Sequence, residues 1–477
     1  MATTRVDFTE WLPDQPGVVG ALTNAFNVYP KAVGYGAFPL EEDYSAAASE
    51  DLNSVFAGKD DSGNTKIFAG GATKLFLFDA TDLSLDDVSG TTYTSTTRWN
   101  FAQFGSFVLA TNNQDQIQYA DLATTTVFSD LSASAPTAKL LTVVRDFVVT
   151  GNTSTGSNEV RWSSINNPTG TWGSVAVTQA DFQRIPDGGE IRGLTGGEFG
   201  LVLLERSIVR MSYVGSPLVF QFDNIARNLG CYESNSVVQW QGITYFLADD
   251  GFYSCNGQAI EPIGAEKVNR FFWDSLREDL IDSMSTAVDP FRNLVMWGYP
   301  SQENTYRLLI YHTVTKRWSY SDTNVSRISN LFTPGITLEG LDAFSASIDA
   351  LQTSLDSRQW VGGKFLFGGV TGAKISTFSG PNKTARITTA DLETGGNMSM
   401  VTLAKPIVDG GSASVAIASR MNLSQAVSFN TEAAADSENR VGLRSLGRYH
   451  RLRVIPSGNW STAIGVEIGR ASCRERV

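Results

Sequence analysis

Two histidines, His312 and His450, and three cysteines, Cys231, Cys255 and Cys473, are the entire stock of side chains suited to proton transfer near neutral pH or to soft-metal binding. His312 lies in LLIYHTV and His450 in GRYHRLRV, both strand-like, and no CxxC or Cys/His spacing surrounds Cys231 or Cys255. Histidine-based acid–base catalysis, a zinc site and a disulfide framework are therefore not expected. No catalytic residue, metal ligand or cofactor is assigned. The loop Lys59-Asp60-Asp61-Ser62-Gly63-Asn64 is rich in oxygen but lacks the D-x-[DN]-x-[DN]-G spacing of a calcium loop. Glycoside hydrolysis needs two placed carboxylates. The nearest sialidase-like turn, Ser164 to Trp172, has Asn where the acid belongs and occurs once. What remains is a concentration of cations at Gly447-Arg448-Tyr449-His450-Arg451. On a strand, the period of two sends Arg448 and His450 to one face and Tyr449 and Arg451 to the other. Arg448, His450 and Arg451 are the candidate contacts to a neighbouring subunit or to DNA phosphates, the bland alternative being pairing with nearby carboxylates.

The elements that must position these residues are short strands. Runs alternating apolar with polar recur, divided by Gly or Asn/Asp turns: KIFAGG with KLFLFDA, RWNFAQFGSFVLATN with IQYADL, LLTVVRDFVVTG with NEVRWSS. EIRGLTGGEFGLVLLERSIVRMSYV, VVQWQGITYFLADDGFYSCNG and NLVMWGYP with RLLIYHTVTKRWSYSD follow, then a weaker unit at 359–380. A unit every 40–50 residues or so, with two to four strands each, is how a β-propeller blade reads. The expected fold is all-β: a six- or seven-bladed propeller over 46–380, preceded by an extended N-terminal arm (1–45) and followed by a small C-terminal β domain (381–466). Asp249-Asp250-Gly251 predicts a type I′ hairpin turn, and Ile185-Pro186-Asp187-Gly188-Gly189 another turn. Helices are expected over 268–284, with Phe271, Phe272 and Leu276 on one side, and within 338–360. The Gly-rich stretches 151–158 and 409–414 are candidate inward-projecting, gating loops, the alternative being simple exposed tips.

With 477 residues, 42% of them hydrophobic, the chain can bury a sizeable core. No apolar run is long enough for a spanning helix, and MATTRVDFTEWLPDQPG has no secretory n-region and h-region. The net charge of −12 argues against a sequence-specific DNA binder. Ile468–Val477, IGRASCRERV, is what ATC GGA AGA GCG TCG TGT AGG GAA AGA GTG encodes, a string resembling a short-read sequencing adapter. The native chain is accordingly expected to break near Val466, with 467–477 adapter-derived and the C-terminal domain truncated.

Several segments, in order, resemble the tail-hub, nozzle or packaged-DNA stabilisation family of short-tailed bacteriophages. They are WLPDQPG…NAFNVYPKAVGYGAFP, RWNFAQFGSFVLAT, VVRDFVVTG…VRWSSINNPTGTW, QADFQRIPDGGEIRGL, SYVGSPLVFQFDNIARNLGCYESNSVV, YFLADDGFYSCNGQAIEPIGAEKVNRFF and the closing GRYHRLRV. The resemblance implies a structural virion protein of the tail, assembled in the host bacterial cytoplasm and not an enzyme. It further implies a homo-oligomeric ring, commonly six copies, attached to portal and adaptor proteins and meeting a tail needle or fibre. Packaged double-stranded DNA would pass through it without sequence specificity. The alternative reading is a receptor- or glycan-binding tail protein, with a propeller glycosidase behind it.

Overall fold

The computed structural model describes residues 2–334, 347, 349, 362–393 and 398–472, apart from 16, 18, 19, 61, 62 and 96. The expected helix within 338–360 lies outside these residues, save 347 and 349. The chain is mostly β, and its middle is a series of four-stranded antiparallel meanders. The first sheet comprises Leu52–Lys59, Thr65–Gly71, Leu75–Phe78 and Leu85–Asp87. The second comprises Asn100–Phe104, Phe107–Thr111, Gln118–Asp121 and Thr125–Asp130; the third, Ala138–Val144, Phe147–Thr153, Gly156–Trp162 and Asp181–Arg184. The fourth comprises Ile191–Thr195, Phe199–Leu204, Ser207–Gly215 and Val219–Arg227; the fifth, Val238–Trp240, Ile243–Ala248, Gly251–Cys255 and Ile260–Pro262. In the sixth, Ser285–Asp289, Leu294–Pro300, Tyr306–His312 and Arg317–Thr323 form the meander. The seventh takes Arg327–Phe332, Phe365–Thr371 and Lys374–Thr377, and its fourth strand is Glu42–Asp43 from the other end of the chain.

Polar side chains stitch each sheet to the next. Asn53 of the first donates to the Thr97 carbonyl (3.0 Å), and Trp99 Nε1 to the Gly71 carbonyl (2.9 Å). Thr111 Oγ1 of the second donates to Ala138 of the third (2.5 Å), and Asn152 of the third to Ile191 of the fourth (3.0 Å). The Thr195 and Thr244 hydroxyls meet at 3.3 Å between fourth and fifth, and Thr286 of the sixth donates to Val237, just before the fifth (3.2 Å). Ser285 Oγ accepts from Ile328 N–H of the seventh (2.9 Å), and Ser329 of the seventh donates back to Val55 of the first (2.9 Å). Glycine matters where these layers touch: a Cβ on Gly70 would lie 2.4 Å from Trp99 Cδ1, so the indole can lie flat on the first sheet only without one.

The two ends of the chain are woven together. Leu22–Phe26 lies parallel to Arg317–Thr323 and antiparallel to Arg386–Thr389, and so splices the sixth meander into a ten-stranded sheet. That sheet continues through Tyr449–Ser457 and Ser412–Arg420. A second sheet runs Val28–Pro30, Tyr35–Ala37, Thr462–Ser472, Ser399–Asp409 and Val441–Gly447, with Ala2–Asp7 also on Thr462–Ser472. Residues 467–472 thus belong to a paired strand, in which Ile468 is buried, while 473–477 lie outside the described residues. One apolar cluster joins Trp11, Val28, Phe252, Phe272, Trp297, Trp318, Val454 and Trp460, so the arm, the fifth and sixth sheets and the C-terminal strands share a core.

Two local expectations are corrected, and two Gly-rich loops are located. The helix expected over 268–284 is α-helical only at Asn269–Ser275; Leu276 turns extended (φ −71°, ψ 138°), and Glu278–Ser283 is a 3-10 segment. The cause is tertiary: Arg277 N–H donates to the Pro300 carbonyl at 3.0 Å and Leu276 bridges Ser301, drawing the chain onto the sixth sheet. The turn at 249–251 is not type I′, because the positive φ falls on Gly251 (+141°) and on neither aspartate. Asn269 sets this geometry, donating to the Asp250 carbonyl at 2.9 Å from a position that a Cβ on Gly251 would occupy. The stretch 151–158 is a tight hairpin and 409–414 a short turn between two sheets. In the first, Thr153 pairs with Gly156; in the second, Gly410 and Gly411 (φ +74° and +63°) carry the chain from Ser399–Asp409 in one sheet to Ser412–Arg420 in the other.

Candidate functional site

The strand Tyr449–Ser457 follows a bend that holds Arg448, so the expected alternation applies from Tyr449 onward. Arg448 is exposed, and its N–H donates to the Arg420 carbonyl at 2.9 Å. His450 is fully buried and points the other way, into the sandwich. Its Nδ1 lies 2.7 Å from Ser419 Oγ and its Nε2 3.0 Å from Ser399 Oγ, while Ser445 donates to Ser419 at 2.6 Å. With Ser419 accepting from Ser445, its own proton goes to Nδ1, which leaves Nε2–H to donate to Ser399. This relay of hydroxyls holds the ring in place, and none of these three contacts brings in a carboxylate that would make a Ser-His-acid triad. Arg451 is half-buried and donates to Asp391 Oδ2 at 2.6 Å; the same oxygen receives Arg420 Nη2 at 2.5 Å. Arg420 also caps the Leu423 and Gln425 carbonyls, at 2.9 and 2.8 Å. Of the three candidate contacts, Arg448 alone presents an exposed side chain.

The arm motif WLPDQPG anchors the arm. Trp11 packs edge-on against Phe271 (4.9 Å) and stacks on Tyr320 (5.0 Å). Asp14 accepts from the N–H groups of Arg270 and Phe271, both at 2.9 Å, capping the short helix from more than two hundred residues away in sequence. Lys267 and Glu10 close the junction at 2.6 Å. The loop at Asp60 closes on itself through Asn64 N–H (2.7 Å), and Trp172 of the Ser164–Trp172 turn is buried, donating to the Pro168 carbonyl at 2.8 Å.

A second polar site emerges where the first strands of the sheets converge. A cavity of about 170 Å³ is lined from the first, second, sixth and seventh sheets and the turn leading into the fifth, by Arg98, Asn100, Ser234, Asn235, Thr286 and Ser329 among others. Arg98 stands just before the first strand of the second sheet, Lys139 and Arg192 near the start of those of the third and fourth, and Arg327 opens that of the seventh. Glu233, buried at the 3-10 turn Ser234–Ser236, interacts electrostatically with all four. Burial, reinforced by Asp282, pushes its carboxyl above the usual glutamate value in spite of Asn235 N–H, Lys139 and Arg192. Burial and the like charge of Arg327 push Arg98 down to about 10, Glu233 opposing them. The sequence reading missed this group. Its signal was a cation at or next to the start of the first strand in four of the repeats (RWNF, AKLL, IRGL, SRIS), visible only once those strands are compared.

Neither a family model nor a curated protein matches the chain. A solved structure, that of the computationally designed Ika8 protein, is 10% identical over 72% of this chain and 99% of its own, with a TM-score of 0.37, an overlap too loose to bear on fold or function. Among the described residues no helix is long and apolar enough to cross a membrane.

Proposed function

We propose that the seven sheets are the blades of one β-propeller, closed by Glu42–Asp43 on the seventh, and that the chain is a ring-forming structural subunit of a short-tailed phage tail hub or nozzle. In this reading the ring closes the portal channel, retains packaged DNA and conducts it during ejection. The observation that carries the reading is the interleaving of the chain's ends: the segments on which the family resemblance rests are the ones that lock the fold. The arm motif caps the helix of the NRFF segment, the FLADDGFY hairpin is held by Asn269, and the GRYHRLRV strand lies in the sheet that Leu22–Phe26 splices to the sixth meander. Such a wall resists deformation at the sixth and seventh sheets, where strands from the two ends of the chain pair with the meanders.

Charge supports the same use. A conduit must not hold phosphates, because each Lys or Arg contact adds salt-dependent affinity. The chain carries 49 acidic against 37 basic residues, and cations such as Arg161, Arg192, Arg420 and Arg451 are engaged by carboxylates of their own chain. The test is reconstitution with a portal–adaptor complex of a short-tailed phage, viewed by electron microscopy. A ring docked coaxially beneath the adaptor is expected; a stable trimer that binds polysaccharide and never forms rings would overturn the reading.

A further inference from the structure

We propose that the cavity between the first strands is a binding site for a small oxyanion, phosphate by preference, with Arg98 as its principal ligand and Arg327 in support. The argument begins with an imbalance. Arg98 is half-buried and faces the cavity, and among the described residues its guanidinium has no ion-pair or hydrogen-bond partner. Arg327, half-buried just off the cavity wall, donates to a backbone carbonyl, that of Asp282, at 3.3 Å. Arg98 on the cavity wall therefore feels the repulsion of Arg327 behind it, and the carboxyl that opposes this, Glu233, lies beside the wall with its charged form disfavoured by burial. A desolvated cation without a partner is costly. An anion bearing two or more acceptor oxygens would satisfy the planar fork of Arg98 and screen it from Arg327.

The remaining lining fits the same guest. Thr286 and Ser329 commit their protons to the carbonyls of Val237 and Val55, which leaves their oxygens as acceptors for a protonated phosphate oxygen. The amide of Asn100 is a further polar group on the wall. At about 170 Å³ the space is well below the roughly 300–1,000 Å³ of pockets for drug-sized ligands, which selects an ion with a few waters over a nucleotide or sugar. This inference rests on residues inside the sheet cycle and is independent of the ring proposed above.

Titration of inorganic phosphate into the full chain, by calorimetry and thermal denaturation at constant ionic strength, is expected to give one saturable site and a rise in melting temperature. Sulfate should compete and chloride should not. Arg98→Gln should weaken phosphate about tenfold or more, whereas Arg444→Gln, on an exposed strand face, should leave it unchanged. Glu233→Gln keeps the shape and removes the competing negative charge, so it should tighten phosphate severalfold; this guards against a loss that merely reports damaged folding. A phosphorylated oligonucleotide that competes through Arg98 would identify the anion as a chain end, and competition by inorganic phosphate alone as the free ion. Equal protection by chloride, or phosphate binding unaltered in both Arg98→Gln and Glu233→Gln, would overturn the proposal.

Discussion

Replacing Lys383 by Met should loosen the closure of the seventh sheet more than any single surface change. Lys383 is buried, and its Nζ lies 2.7 Å from Glu41 Oε2, whose side chain is 10% exposed; Glu41 Oε1 accepts Asn324 N–H at 2.8 Å. Glu41 directly precedes Glu42–Asp43, so the pair pins the returning segment where it joins the seventh sheet. Removing one partner of a buried pair leaves the other charge uncompensated, at a cost of about 3–5 kcal/mol. At a urea m-value of roughly 3 kcal/mol/M, that lowers the midpoint by about 1 M or more. The acid limb gives a second readout. Burial alone would raise the Glu41 carboxyl, but the Lys383 and Asn324 contacts prevail and hold it below its ordinary 4.5. Its stabilising contribution is therefore complete above that value and lost as the pH falls through the depressed folded value. In Lys383→Met burial acts unopposed by Lys383, the Glu41 carboxyl rises, and mild acid should instead recover stability. The double variant Glu41→Gln/Lys383→Met should regain much of the midpoint. Urea unfolding from pH 3 to 8 checks all three; a shift under about 0.3 M with an unchanged acid limb would refute the reasoning.

Gly251→Ala should cost about 1–3 kcal/mol in thermal or urea unfolding, because φ of +141° disfavours any side chain and Asn269 occupies the space. Asp14→Ala removes a helix cap supplied by the arm and should cost about 1 kcal/mol, with faster proteolysis of the arm as the visible sign. Cys231 and Cys255 are buried free thiols, and burial pushes the Cys231 thiol up to about 12, so peptide mapping after alkylation at pH 8 should find both unlabelled until denaturant is added. Arg448→Glu should leave the unfolding midpoint within about 0.5 kcal/mol of wild type yet impair ring assembly seen by sedimentation, while Arg451→Met should destabilise the chain by stranding part of the Asp391 charge.

Local pairing was legible in the sequence wherever apolar alternation met a tight turn. KIFAGG/KLFLFDA, RDFVVTG/NEVRWSS and LLIYH/KRWSY all become neighbouring strands, because the pattern and the turn act within a dozen residues. The polar outer strands such as Asp181–Arg184 and Leu85–Asp87 carry little apolar periodicity, since their side chains are mostly exposed and make polar contacts such as Arg184–Glu159 and Asp87–Lys74. Three features depend on distant partners: the return of Glu42–Asp43 to Lys374–Thr377, the cap from Asp14, and the Asp391 shared by Arg420 and Arg451. No window of sequence holds both halves of these contacts. GRYHRLRV was recognisable as a cationic strand, yet its pattern could not reveal that serines enclose His450 and a carboxylate engages Arg451. The Arg98–Glu233–Arg327 group was hidden differently. Its members are single residues in separate repeats, brought together only when the first strands converge.

Electron microscopy of the purified chain, with its mass in solution, tests the central claim most directly. The account predicts a closed ring of several copies, commonly six in the tail-hub family that the sequence resembles, each a seven-bladed unit around an open axial channel. A chain that stays monomeric or trimeric at every concentration and with a portal–adaptor complex present, or whose seven sheets do not close into one propeller, would contradict it.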